Sequence, residues 1–223
     1  AEGIVRLRRE AEKKANELIP ALFAERFGTG TDSSVSIQRL ADICSKITDG
    51  AHKTPTYVDS GIPFLRVCDI QDMDINWAKA KKIPVDEHRE LTKRCKPERG
   101  DILYSKNGTI GIAKEITWDS EFSTFVSLAL IKPKRDIAHS TFLTTFLNTP
   151  FALKQARDRT KTGTVQNLHL EEIREIKVPL PPMELQIAFV EQAMQVRSIE
   201  AQQAAARAKA KATFDALLAQ SFR

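Results

Sequence analysis

From Leu185 onward the seam positions recur at alternating steps of four and three: Leu185, Phe189, Gln192, Val196, Ile199, Gln203, Ala206, Ala210, Thr213 and Leu217. This is the a/d spacing of a heptad, and most of its members are apolar. No Gly or Pro interrupts the run after Pro182. The pattern predicts one helix of about 40 residues, roughly 60 Å long. Such a rod is longer than a small domain is wide, so it projects from the body and its seam needs a partner helix. Pro181 and Pro182 end an extended segment just before it. Pro182 is also suited to the first helical position, where its missing N–H costs nothing.

A second helical stripe lies at the other end of the chain: Ile4, Leu7, Ala11, Ala15, Leu18 and Leu22. It predicts a helix from Ile4 to Phe27, kinked at Pro20. Lys14 to Gly28 also matches Lys209 to Arg223, at Lys14/Lys209, Ala15/Ala210, Ala21/Ala216, Leu22/Leu217, Ala24/Ala219 and Phe27/Phe222. The chain thus reads as one unit of a repeat: the end of one spacer helix, a globular domain, then the next spacer helix. Leu18, Leu22, Leu185, Phe189, Val196, Ile199 and Leu217 are the candidate packing positions of an antiparallel coiled-coil arm. A homodimer through the C-terminal helix is the other way to cover the seam.

Between these helices the periodicity changes. Gly28 to Ser34 is a linker by composition. Val35 to Cys44 reads as a short strand followed by a short helix or turn, and Ile47 to Pro55 as a polar loop. Ile62 to Val67, Asp101 to Ser105, Phe125 to Ile131 and Ile176 to Leu180 read as strands. Asn107-Gly108 predicts a two-residue hairpin, with Ile110 to Lys114 returning. Ser140 to Leu153 reads as one helix, Lys154 to Asn167 as a polar, basic segment ending in a loop, and Leu170 to Ile176 as a short helix or turn. The fold class expected is α+β: one globular domain with a mixed or mostly antiparallel sheet, plus two long helices. The boundaries are 1–28 for the first spacer helix, 29–34 for the linker, 35–180 for the domain and 181–223 for the second spacer helix.

Composition narrows this picture without overturning it. With 223 residues and 42% hydrophobic content there is room for one core plus helices. No apolar run reaches membrane-span length, and no signal pattern opens the chain. The first residue is Ala1, which points to processing or a fragment. Cys44, Cys68 and Cys95 are too few and too widely spaced for a disulfide framework; they read as single buried thiols of a cytoplasmic protein. The net charge of +5 is spread along the chain. It permits nucleic-acid binding and leaves any footprint to local clustering.

Enzyme chemistry finds little support. His52, His88, His139 and His169 lack metal-ligand spacing to each other or to the cysteines, and no cofactor is expected. Gly108-Thr109-Ile110-Gly111 lacks the third glycine and the helix that would cradle a phosphate. Asp69, Asp72 and Asp74 lack the glycine and closing Glu of a calcium loop. Pro179-Leu180-Pro181-Pro182 lacks the Asn and the aromatic of an amino-methyltransferase motif. No catalytic constellation is present. The remaining signal is for binding. Lys154, Arg157, Arg159 and Lys161 oppose only Asp158, and Thr164, Gln166 and Asn167 follow. Lys and Arg neutralise phosphates, while Gln and Asn pair with adenine edges. A solvated loop explains the same composition. Lys53, Lys106 and Asn107 sit at other polar turns and could border the same face. His52 is either a turn residue or a ligand contact.

Four stretches, in order, resemble the specificity subunits of Type I restriction–modification systems. They are Ile47 to Pro55 with Gly61 to Leu65; Gly100 to Ser105 with Asn107 to Gly111; Thr162 to Leu168; and Ile176-Lys177-Val178-Pro179-Leu180-Pro181-Pro182-Met183-Glu184-Leu185-Gln186. The resemblance implies that residues 35–180 are a target recognition domain for one half of a split site in double-stranded DNA. It implies that the spacer helices dock methyltransferase subunits and, through them, the restriction subunit, and that the chain itself is non-catalytic. The chain departs from the family in holding one recognition domain, and in Met183 to Gln186, where a Glu-Gln pair is usual. It is therefore read as a half-subunit or an excised C-terminal half. A recognition module cut from a single-chain restriction–methylation enzyme and a coiled-coil scaffold without nucleic acid are the alternatives.

Overall fold

The computed structural model describes residues 17–28, 35–71, 75, 77–160 and 166–221, with side chains described as far as residue 213. In chain order the elements are α1 (residues 17–27), β1 (Ile37–Arg39), α2 (Leu40–Ile43), β2 (Cys44–Asp49), β3 (Ile62–Leu65), a 3-10 turn (Val67–Asp69), β4 (Lys81–Ile83) and α3 (Val85–Arg94). There follow β5 (Ile102–Ser105), β6 (Ala113–Glu115), β7 (Ser123–Thr124), β8 (Leu128–Pro133), α4 (Ser140–Leu147), α5 (Pro150–Arg159), α6 (Leu170–Arg174), β9 (Lys177–Pro179) and α7 (Met183–Ser221). No described helix is long and apolar enough to cross a membrane.

The central sheet has the order β2-β8-β5-β6, antiparallel throughout. Strand β8 begins as an unbroken apolar run because both of its faces are covered. Side chains alternate across a strand. Ala129 and Ile131 join Ile102 and Tyr104 in the core under the helices, while Leu128 and Leu130 join Leu103 and Leu65 in a second cluster. A smaller sheet, β4-β3-β7, is mixed: Phe64 faces Lys81 antiparallel and Ser123 parallel. Strands β1 and β9 pair from Ile37↔Pro179 to Arg39↔Lys177, so the start and end of the body close on each other. This is the mixed, mostly antiparallel α+β architecture expected.

Helices α1, α4 and α7 meet in an aromatic cluster. Phe23 lies 5.2–5.4 Å, ring centroid to centroid, from Phe27, Phe142, Phe146 and Phe189. Phe189 closes on Phe27 at 5.5 Å and Phe142 at 5.8 Å. Full burial of each ring contributes about 1.5–3 kcal/mol, so this cluster holds the base of α7 to the body.

Several expectations need correction. Helix α7 starts at Met183, and the Pro182 carbonyl accepts from the Gln186 N–H at 3.2 Å; Pro182 precedes the helix. The buried stripe at its base is Gln186, Phe189, Val190 and Ala193, not a strict heptad seam. Leu185 and Ile199 are 47% and 52% exposed, and Leu18 on α1 is 51% exposed. These four residues face the body, whereas the arm expected along Leu185 and Ile199 involves residues 1–16, which lie outside the described residues. Phe189 is buried as expected, and Val196 and Leu22 are partly buried against the core. The Leu217 side chain lies outside the described residues.

The helix expected over Ser140 to Leu153 is two helices. Pro150 opens α5 at its first position, and the Thr149 hydroxyl accepts from the Ala152 N–H at 3.3 Å. The first part of the polar, basic segment expected over Lys154 to Asn167 is thus the second half of α5, which ends at Arg159. Residues 47–49, expected in a loop, lie on β2, because pairing with β8 overrides their polarity. The helix α3 carried no recognised signal. The register Tyr104↔Ala113 makes the β5–β6 connection a longer loop than the two-residue hairpin expected. Cys68 is exposed; only Cys44 and Cys95 are buried.

Candidate nucleic-acid interface

Sheet register builds the site. Strands β2 and β5 both run antiparallel to β8, and they finish at its beginning: Asp49 stands opposite Ala129 and Ser105 opposite Leu128. The residues after both strands therefore meet. Asp49 and Lys106 are 3% and 5% exposed. Charges this deeply buried need partners. Lys106 Nζ lies 3.4 Å from Asp49 Oδ2, and His52 Nε2 and Arg94 Nη2 lie 3.0 and 3.3 Å from Oδ1. Arg94 also donates to the carbonyls of Asp49 (2.9 Å) and Gly50 (2.6 Å). Position 50 must be glycine, since a Cβ there would come within 1.9 Å of the Thr124 carbonyl oxygen.

A second pairing adds the amides. The Leu168 N–H donates to the Lys106 carbonyl at 2.9 Å, and the Gly108 N–H to the Gln166 carbonyl at 3.2 Å. Asn107 and Asn167 stand opposite each other in an isolated antiparallel bridge. Among the described residues their side-chain oxygens are buried acceptors without a hydrogen-bond partner, an arrangement that is uncommon outside functional or strained sites. Gln166 is exposed beside them. The loop leaving β5 is pinned by Ser105, whose hydroxyl accepts from the Ile112 N–H at 2.8 Å and whose carbonyl accepts from the Gly111 N–H at 3.0 Å. Gly111 has φ +94°, and a Cβ there would approach Leu153 Cδ1 to 2.4 Å. Across this loop, Gln71 Nε2 donates to Thr109 Oγ1 at 2.8 Å.

The structure thus brings together His52, Lys106, Asn107, Gln166 and Asn167, which are far apart in the chain. Lys53 is exposed next to His52. Lys106 does not reach solvent as a surface cation; its charge is taken up by Asp49. Arg157 and Arg159 lie on the last turn of α5: Arg157 is exposed, while Arg159 folds back onto the Gln155 carbonyl at 3.0 Å. Lys161 and Thr164 lie outside the described residues. Sequence reasoning passed over Asp49, Arg94, Gln71 and Thr109. Arg94 is 45 positions from Asp49, and no local pattern marks such a pair.

These paired loops fall within a matched region. A family model described as the Type I restriction modification DNA specificity domain covers residues 33–202. The chain belongs to this family. The specificity subunit of the Type I restriction enzyme EcoBI from Escherichia coli is 29% identical over 170 residues, which are 74% of this chain and 36% of that subunit. Among solved structures, the HsdS subunit from Thermoanaerobacter tengcongensis aligns with TM-score 0.62 at 21% identity, over 93% of this chain and 48% of its own. The S subunit of the Type I restriction–modification system from M. genitalium aligns with TM-score 0.58 at 14% identity, over 97% and 55%. The chain therefore spans about a third of the curated relative and about half of the solved ones. The specificity domain so matched contains every element from β1 through the base of α7.

Proposed function

We propose that this chain is a DNA-recognition part of a Type I restriction–modification specificity subunit, reading one half of a bipartite target and performing no reaction itself. The observation that carries this reading is the main-chain pairing of residues 106–108 with 166–168. It sets three amide side chains beside a cation cluster on one edge of the sheet. Asn and Gln amides pair with adenine edges in the major groove, and nearby cations hold phosphates and set register. In this reading Asn107, Gln166 and Asn167 discriminate bases. Lys53, His52 and Arg157, with Lys161 and Thr164 in the adjoining segment, meet the backbone. Lys106 positions the loop. Residues 35–180 form the reading domain. The helices flanking it form an antiparallel arm that docks methyltransferase subunits and, through them, the restriction subunit. Family membership and the 39-residue α7 support this division.

The test is titration of duplex DNA onto the chain in complex with its methyltransferase subunits, across a salt series. Binding should weaken steeply with salt, and Lys53→Ala should reduce the log–log slope by about one. Asn107→Ala and Gln166→Ala should relax sequence discrimination by about 1–3 kcal/mol while leaving that slope unchanged. Absence of salt-sensitive association in the complex would overturn the reading. Discrimination untouched by both amide variants would remove its recognition face.

A further inference from the structure

Gln186 is polar, sits on the first turn of α7, and is fully buried. Every hydrogen-bonding direction its position demands is met. Its Oε1 accepts from the His139 N–H at 2.8 Å. Its Nε2 donates to the Ile137 and Pro181 carbonyls, both at 2.9 Å. Two carbonyls and one N–H converge there, so only an uncharged amide supplies two donors and an acceptor at once.

Those partners belong to different parts of the molecule. Pro181 is the exit from β9. Ile137 and His139 lie in the turn between β8 and α4, which the Lys134 N–H anchors to the Ile43 carbonyl at 2.9 Å. Strand β8 runs from that turn to Leu128, where the Asp49–Lys106 cluster and the paired loops sit. One continuous strand therefore joins the candidate reading face to the residues that grip Gln186. The aromatic contacts around Phe189 are non-directional and tolerate sliding. The three bonds to Gln186 are directional and do not. Leverage makes the difference matter: for a helix of 39 residues, a tilt of about 10° at the base moves the far end by roughly 10 Å.

We propose that Gln186 is a positioning residue, the joint that fixes the direction in which α7 leaves the body and hence the placement of the Asn107–Gln166 face relative to the rod. Its consequence for DNA rests on the function proposed above, but its test reads no DNA, so the two fail separately.

The full chain carrying Cys68→Ser is spin-labelled at Asp86→Cys and Arg207→Cys, two exposed positions. Pulsed electron resonance then gives the distance distribution between body and rod. Gln186→Met keeps the volume without the bonds and should broaden or shift the distribution at every pH. Gln186→Glu sets a carboxylate against two carbonyls and should do the same near neutrality. On acidification the neutral acid regains one donor, and its distribution should return toward that of the parent measured at the same pH. Parent-like distributions in both folded variants would overturn the proposal. Should either variant fail to fold, hydrogen exchange on the unaltered chain decides. The His139 amide is bonded to Gln186 rather than to a helical carbonyl, and should exchange at least roughly tenfold slower than an unprotected amide. Unprotected exchange there would overturn the proposal as well.

Discussion

Asp49 and Lys106 form a buried pair whose two members are not equally replaceable. Asp49→Asn leaves Lys106, 5% exposed, with no opposite charge in reach among the described residues. An uncompensated buried charge costs about 3–5 kcal/mol. Lys106→Met is milder, because Asp49 keeps Arg94 at 3.3 Å and His52 at 3.0 Å; loss of one charged contact costs about 1–3 kcal/mol. The double variant removes both charges and should cost less than the sum of the two single changes. Urea denaturation at neutral pH gives all three values from the midpoints, provided the m-values agree. A domain of ordinary stability, about 5–15 kcal/mol, remains folded enough to measure each variant. The reasoning is refuted if Asp49→Asn proves cheaper than Lys106→Met, or if the two changes simply add.

Phe189→Ala should lose about 3–5 kcal/mol in the same assay, because the ring is fully buried against Phe23, Phe27 and Phe142. Leu185→Ala, on the exposed side of α7, should stay within about 0.5 kcal/mol; equal losses would restore the heptad seam over the observed register. A colorimetric thiol reagent should modify one of the three cysteines in the native chain, the exposed Cys68, and all three in denaturant. Burial pushes the Cys44 thiol up to about 12 and raises that of Cys95, so both remain protonated as well as shielded. Burial also lowers the pKa of His88, which meets Ser123 Oγ at 2.9 Å. Its folded pKa lies below its unfolded one, so its contribution to stability is present above the unfolded value and is lost as pH falls through the folded one. His88→Gln should flatten the decline in denaturation midpoint on mild acidification. Removing residues 1–28 bares Phe142, Phe146 and Phe189 and should promote dimerisation, visible by light scattering.

The sequence by itself determined the features set by local repetition. The period of apolar positions from Leu185 onward, free of Gly and Pro, was enough to place α7, because a helix is specified by neighbours three and four apart. Four ordered motifs sufficed for the family, and alternation with turn residues for the α+β class. Even so, the helical period did not give the inward face: Leu185 and Ile199 fit the seam, but the broad aromatic surface selects Gln186, Phe189, Val190 and Ala193. Pro150 marked a boundary that composition alone read as a helix end rather than the start of α5. The candidate site was legible as separate polar turns and not as a constellation. Whether Lys106 meets water or Asp49, and whether Asn107 stands beside Asn167, depends on strand register between distant segments. Only the tertiary structure decides that, because the hydrogen bonds that bring these residues together are made by backbone groups, which every sequence carries alike.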